Sequence, residues 1–412
     1  MAKGGAAMVE QLEGALSGYR VLELADAKGV YCGKLPADLG ADVIKIENPH
    51  GDATRNIPPF VDDIPHLEKS LYFLYRNANK RGITLNLEAP DGKHIFKSLV
   101  KTADVVLETF PPGYMANLGL DYAELSKLKP DLVMASITEF GQTGPHKDWK
   151  GSDIVHFALC GVMVGSGFPN KAPCNLPGQP AYDSACMIAA SSIIVGLYSR
   201  GITGEGQYIE TSALEGAHIG LGIWTVPGYS MTLSIPENQR RYPGRTGAAG
   251  SPVCRCKDGL IRFAPFALRQ WDSLRRMLDN PEVLASPEWY SGAYRGANAD
   301  ILIALLEEFT TVRTVAEVFD AAAREGLPAA PVSTVRDFIN NPQTKARGFM
   351  VGVEHHLAGE ALYPGAPYKL SETPCNIRRP APCLGEHNED IYCRELGLSK
   401  ESLVALRRAG VI

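Results

Sequence analysis

The feature that most constrains this chain is an alternation in its first third, where short runs of β-branched and aliphatic residues are separated by segments with helical spacing. "YRVLELA" reads as a strand, "KGVYCGKLPADLG" as a helix and "ADVIKIE" as a second strand. "RGITLNL", the helical "PDGKHIFKSLVKTA", "DVVLETF" and, after another helix and turn, "PDLVMASI" continue the series. Strands joined through helices are too far apart in sequence for hairpins, so they pair in parallel and need helices over both faces. The expected fold class is α/β, a doubly wound sheet.

The chain has 412 residues, beyond the roughly 250–300 at which a single core usually divides. Two domains are expected. From about Trp224 to Gln270 the texture changes to Gly, Pro and Arg, followed by the strand pair "VCRCKDGLIRFAPF" around the turn Lys257-Asp258-Gly259. Helical patterns then run through "RQWDSLRRMLD" and "ADILIALLEEFTTVRTVAEVFDAAAREG", and the chain closes with the helix "SKESLVALRRAG". A smaller α+β domain is expected here, and the absence of internal repeats excludes a solenoid.

A net charge of −5, with 45% hydrophobic and 21% charged residues, gives no general attraction to nucleic acid. "MAKGGAAMVEQLEGALSGYR" lacks a secretory h-region, and no apolar run is read as approaching the roughly 18–20 residues that span a bilayer. A cytoplasmic chain with no nucleic-acid or membrane partner is expected. Nine scattered cysteines read as reduced thiols. Cys254 and Cys256 form a CxC without a second pair or clustered histidines, so no metal site is expected.

Several chemistries are excluded by missing motifs. Gly29-Val-Tyr-Cys-Gly33-Lys34-Leu35 has too short a gap for a phosphate-cradling loop and ends in Leu35 rather than Ser or Thr. The turn after the first strand lacks GxGxxG, so Glu47 reads as a strand-end carboxylate rather than a ribose ligand. There is no GxSxG elbow and no HExxH pair.

The stretch "GQPAYDSACMIAASSIIVGLYSR" places one carboxylate, Asp183, before some sixteen small and apolar residues. The spacing predicts a helix through Leu197 that ends near Arg200-Gly201. Two readings of Asp183 stand side by side. One is an N-cap, satisfying a free helix amide. The other is a nucleophile in a dry pocket beside helix-end amides, aimed at an activated acyl group.

"LYSRGITGEGQYIETSALEGA" after "YDSACMIAASSIIVG" resembles the signature of the class III CoA-transferases, the family of formyl-CoA and carnitine CoA-transferases, with α-methylacyl-CoA racemase a relative. The resemblance extends to "LSGYRVLELADAKGVYCGKLPADLGADVIKIENPHGDATR", to "NANKRGITLNLEAPDGKHIFKSLVKTADVVLETFPPGYMANLGLDYAELSKLKPDLVMASITEFGQTGP", and to "PGAPYKLSETP" with "APCLGEHNEDIYCRELGLS". It covers nearly the whole chain and is weakest between residues 223 and 327.

What the resemblance implies is specific. Residues 1–222 form the first part of a Rossmann-like CoA-binding domain, 223–330 a small domain, and 331–412 a segment returning to the large one. Asp183 is the nucleophile, forming an aspartyl-acyl anhydride and then an aspartyl-CoA thioester. The partners are an acyl-CoA, with coenzyme A as co-substrate and no tightly bound cofactor, and an acceptor carboxylic acid. Ala185, Ala189, Ala190, Ser191 and Ser192 either shield the intermediate or pack a helix closely. Gly244, Gly247 and Gly250 form either a loop closing over the intermediate or a surface turn.

Two places that carry CoA-binding arginines in some family members are Asn48 and Asn117 here, which leaves Lys28, Arg55, Arg76, Lys80 and Arg81 as phosphate ligands, with Phe110 and Leu118 along the adenine or pantetheine path. Tyr31, Trp224 and Tyr242 are expected to shape the acyl pocket. The racemases carry G-H-D where this chain has Gly151-Ser152-Asp153, which ranks racemisation below transfer; nearby His156 reads as a satisfied histidine on a helix. The implied assembly is an interlocked homodimer, with a heteromer of paralogous subunits, or a noncatalytic acyl-CoA-binding subunit, as the alternative.

Overall fold

Six parallel strands form the main sheet: β1 (Arg20–Leu24), β2 (Asp42–Glu47), β3 (Arg81–Thr84), β4 (Val105–Glu108), β5 (Val133–Thr138) and β6 (Gln207–Ser212), in the order β3-β2-β1-β4-β5-β6. The computed structural model describes residues 14–163, 171–221, 252–265 and 267–412. Between the strands run α1 (Val30–Asp38), α2 (Leu71–Arg76), α3 (Pro90–Val100), α4 (Tyr114–Leu118), α5 (Tyr122–Leu128), α6 (Asp153–Leu159) and α7 (Pro180–Thr203), and α8 (Ala213–Leu221) follows β6. The α/β class expected from the alternation is the class observed.

Successive strand residues serve opposite faces. Val21, Val43, Val105 and Val133 pack with Cys186, Ala189 and Ile193 on one side, whereas Leu22, Ile44, Val106 and Met134 pack with Phe96, Leu99 and Tyr392 on the other. Both faces are covered, which is why these strands read as mostly apolar runs rather than as an alternation of apolar and polar residues. The strand order reverses between β1 and β4. That reversal opens a crevice at the carboxyl ends of the strands, the usual ligand position in such sheets.

Strand β6, "QYIETS", is absent from the sequence-based series. Its first four residues are exposed or half-buried at the sheet edge, so it lacks the apolar run that marked the others.

Helix α7 overturns one expectation. An 18-residue window within its 24 residues has a mean hydropathy of 1.5, so by length and composition alone it is long and apolar enough to cross a membrane. The sequence reading missed this because it set the helix end near Arg200; the helix continues to Thr203, where Gly204 in a left-handed conformation (φ 77°) returns its amide to the Arg200 carbonyl at 2.8 Å. Here α7 packs on α1, α8, β5 and β6, and its apolar composition serves that packing on one face.

Contacts divide the chain into one unit of residues 1–161, 176–224 and 345–412 and another of 162–175 and 225–344. The second unit contains an antiparallel sheet of β7 (Val253–Arg255), β8 (Leu260–Phe263) and β9 (Ala329–Pro331) over a core that includes Trp271, Leu274, Leu302, Leu306 and Val318. The long helical pattern expected there is two helices, Ala299–Thr310 and Val315–Arg324. Thr314 caps the second, its hydroxyl accepting from the Glu317 amide while Glu317 reaches back to the Thr314 amide.

Glu108, at the carboxyl end of β4, is 3% exposed. Burial pushes its carboxyl up to about 7, against the opposing bonds from Ser136 and the Phe110 amide. A carboxyl whose folded pKa is raised binds its proton more tightly in the native state, so it weakens the fold as pH rises from its unfolded value near 4.5 through 7. Glu108→Gln is therefore expected to match the wild type near pH 4–5 and to exceed it by on the order of 2–3 kcal/mol above pH 8. Urea titrations at the two ends of that range check this, and a difference independent of pH would contradict it.

Candidate active site

The first turn of α7 lies against the loop that follows β1. Pro180 occupies the first helical position, where its missing amide is no loss, and Gln179 precedes it without a side-chain cap. Asp183 donates its own amide to the Gln179 carbonyl at 2.9 Å and is thus already inside the helix. It is not an N-cap. Its carboxylate instead faces Arg76, the last residue of α2, whose Nη1 and Nη2 donate to Oδ1 at 2.5 Å and Oδ2 at 3.0 Å.

The Asp183 side chain is 33% exposed and that of Arg76 is 10% exposed. The guanidinium carbon lies 4.5 Å from the ring centre of Tyr72 and 5.1 Å from that of Tyr31. Tyr72 is fixed in turn, its hydroxyl donating to Gln179 Oε1 at 2.5 Å with the Ala27 carbonyl 3.2 Å away. One turn along α7, the Cys186 thiol donates to the Lys28 carbonyl at 3.2 Å, and burial pushes that thiol up to about 12, so it is not a competing nucleophile near neutrality.

The small residues after Asp183 have a packing cause. A Cβ on Gly216 of α8 would lie 2.7 Å from Ala185 Cα, and one on Gly220 would lie 2.5 Å from Ser184 Cβ. Two helices can approach this closely only where side chains are minimal. The approach fixes the start of α7, and with it the carboxylate.

A second cluster adjoins the first. Glu139, just beyond β5, has Oε2 2.5 Å from His156 Nε2, and the Tyr182 hydroxyl lies 3.1 Å from both of its oxygens. Burial raises the Glu139 carboxyl, but His156 and Lys28 outweigh it and hold the group below its usual range. The Tyr182 amide donates to Asp153 Oδ1 at 2.9 Å, tying α6 to the first turn of α7. His156 lies on α6 as expected, with one ring nitrogen bonded and Nδ1 buried without a partner among the described residues. Sequence reasoning gave Glu139 no role. Its only signal was its place in "ITEFGQTGP", a motif without a chemical pattern of its own.

The candidate phosphate ligands do not converge. Lys80 is fully buried, its Nζ donating to Glu23 (2.9 and 2.7 Å), the Val30 carbonyl (2.8 Å) and Asn77 Oδ1 (3.0 Å). Arg55 is fully buried between Glu47 (2.7 and 2.8 Å), Glu68 (2.6 Å) and the Pro382 carbonyl (3.1 Å). Neither offers a nitrogen to a ligand, so both are corrected to structural cations. Glu47 is thereby the structural carboxylate that its place at the strand end suggested.

Arg81 heads β3 and pairs with Asp42 at the head of β2 and with Glu395, which places it at the amino end of the sheet, away from the crevice. Arg76 is occupied by Asp183. Lys28 alone of the five stays on the loop after β1 with its Nζ near the carboxyl ends, paired there with Asp26.

Phe110 stacks on Tyr114 with ring centres 4.4 Å apart, and both Phe110 and Leu118 rest half-buried on the core. Asn117 on α4 and Asn48 after β2 are exposed. Tyr31 lies beside Arg76, whereas Trp224, Tyr242, Gly244, Gly247 and Gly250 lie outside the described residues.

One cluster of potential metal ligands was not foreseen. Donor atoms of His355, His356 and Cys383 lie within 4.8 Å of one another. His355 Nδ1, however, accepts from the amides of Leu357 and Ala358 at 3.2 and 3.1 Å, which leaves its proton on Nε2 and removes it from a neutral ligand set.

The fold and the site together define an α/β scaffold with a part-exposed, arginine-paired carboxylate, Asp183, one helical turn before the thiol that bonds the loop after β1. The particular family follows from comparison: residues 16–388 match the model of CoA-transferase family III, and the chain belongs to that family. It is a class III CoA-transferase, an enzyme class whose co-substrate is a CoA thioester.

The chain is 33% identical to the succinyl-CoA:(R)-benzylsuccinate CoA-transferase subunit BbsE of Thauera aromatica, over 96% of this chain and 98% of that one. It is 31% identical to the formyl-CoA:oxalate CoA-transferase of Streptomyces coelicolor, over 97% and 99%. Among solved structures, a CaiB/BaiF family protein from Brucella suis superposes with a TM-score of 0.79 at 30% identity, covering 93% of this chain and 99% of the other.

Proposed function

We propose that this enzyme moves CoA from an acyl-CoA to a free carboxylic acid with Asp183 as a covalent nucleophile. The observation that carries the reading is the placement of Asp183: one third exposed, inside the first turn of α7, with both oxygens oriented by Arg76.

In the first step an Asp183 oxygen attacks the thioester carbon, the C–S bond breaks, and an aspartyl-acyl anhydride and CoA thiolate result. The thiolate then attacks the Asp183 carbonyl, releasing the donor acid as its carboxylate and leaving an aspartyl-CoA thioester. The acceptor carboxylate attacks that thioester to form a second anhydride. The returning thiolate takes the acceptor acyl group and restores the Asp183 carboxylate. One thioester replaces another of similar energy, so no nucleotide is consumed.

The relatives' names point to the first donors and acceptors to try, succinyl-CoA and formyl-CoA as donors and oxalate and benzylsuccinate as acceptors. Formation of a new thioester in such a panel, followed by mass spectrometry, supports the reading. Deuterium entering the α carbon of an acyl-CoA with no change of acyl group would replace it with isomerase chemistry. Gly151-Ser152-Asp153 supplies no imidazole for that alternative.

An interlocked dimer in the cytoplasm remains part of the proposal. Val195, Tyr198 and Ile202 on α7 and Ile219 on α8 are each more than 60% exposed, an apolar surface that suits burial against a second copy. The word "subunit" in the name of the Thauera relative favours a second reading, in which a paralogous chain completes the enzyme. Native mass measurement of the active species separates the two.

A further inference from the structure

Arg76 is a cation whose partner is consumed by the proposed reaction. It is 8% exposed, and among the described residues its hydrogen bonds go to the two oxygens of Asp183. A guanidinium does not shed its proton, and a buried one left without a counter-ion is strongly unfavourable. Acylation removes the charge of Asp183. In the next step, however, the donor acid leaves as a carboxylate beside the same residue, and the acceptor enters as one.

We propose that Arg76 is the carboxylate clamp of the exchange: its fork passes from Asp183 to the departing donor acid, then to the incoming acceptor acid, and returns to Asp183 at the end of the cycle. The inference rests on the nucleophilic reading of Asp183. Charge balances throughout, because each covalent state of Asp183 is accompanied by one thiolate or one free carboxylate. The planar fork matches a carboxylate edge, which a point-charged lysine does not. The Tyr31 and Tyr72 rings flank the fork and the Tyr72–Gln179 bond fixes one of them, so the clamp is oriented before any acid arrives.

The test uses the full-length protein, the thioester that labels Asp183 in the presence of hydroxylamine, and a saturating series of acceptor acid. Arg76→Met is expected to raise the acceptor KM roughly 10- to 100-fold, the loss of a charge-assisted pair, and to slow without abolishing donor-dependent hydroxamate formation at Asp183, whose oxygens it orients. Added guanidinium ion is expected to lower that KM again, and Arg76→Lys to fall between. If the methionine variant does not fold, the lysine variant carries the comparison.

An acceptor KM equal to that of the wild type would overturn the clamp, as would a raised KM that neither guanidinium nor lysine improves. Both results leave the nucleophile intact. Absence of any adduct in the wild type would instead sink the reading of Asp183 itself, and the clamp with it.

Discussion

Asp183→Asn is expected to reduce CoA transfer by at least about 10³-fold, because the amide keeps the shape of the side chain but has no anionic oxygen to form the anhydride. The same change removes the counter-charge of Arg76, whose side chain is only 10% exposed, so a loss of stability accompanies the loss of activity. Activity assays well below the variant's melting temperature separate the two effects. A folded Asp183→Asn protein that keeps more than a tenth of wild-type activity would contradict the nucleophilic role.

The largest expected effect on folding lies beneath the site. Glu23 on β1 is fully buried; it accepts two bonds from Lys80 and has Lys45 3.6 Å away, with both lysines also fully buried. Burial pulls Lys80 down to about 8 even with Glu23 beside it, a measure of how dry the position is. Lys45 also has Asp52 at 3.3 Å, whereas among the described residues Glu23 is the only carboxylate bonded to Lys80.

Glu23→Gln therefore leaves one buried ammonium without its counter-charge and is expected to cost about 3–5 kcal/mol in urea unfolding. Removing both partners, in Glu23→Leu/Lys80→Met, is expected to recover much of that loss. A single-variant cost below about 1 kcal/mol would show that the triad is hydrated and not a buried ionic core.

This triad also explains how far the chain could be read from its sequence. Five strands were legible because each is covered on both faces and carries a short run of β-branched and aliphatic residues. The sixth escaped because an edge strand with exposed Gln207, Tyr208 and Glu210 carries no such run. Gly29 and Gly33 entered the sequence reading only as a spacing that fails to make a phosphate loop. The structure gives them packing reasons: a Cβ on Gly33 would lie 1.6 Å from Glu23 Oε2, and one on Gly29 would lie 2.3 Å from Thr109 Cγ2.

The candidate nucleophile was legible for a different reason, an isolated charge in an apolar helix within a recognisable signature. Its pairing with Arg76 was not foreseen. Arg76 was sorted with the phosphate ligands because it lies 107 positions from Asp183, and nothing in local spacing joins the two. Lys80 and Arg55 were misassigned because a cation's burial depends on where its carboxylates fall in the fold, and Glu23 and Glu47 occupy strands that look purely structural.

The central claim is that the Asp183 carboxylate forms bonds during transfer, and an oxygen label reports it directly. The wild-type enzyme is turned over with an acceptor acid carrying heavy oxygen in its carboxylate, then digested, and the peptide containing Asp183 is weighed. The anhydride route predicts that Asp183 acquires one heavy oxygen per passage, because the acceptor oxygen that bridges the anhydride stays with the aspartate when CoA takes the acyl group. Complete transfer with an unlabelled Asp183 would contradict the account and place the bond-forming step elsewhere.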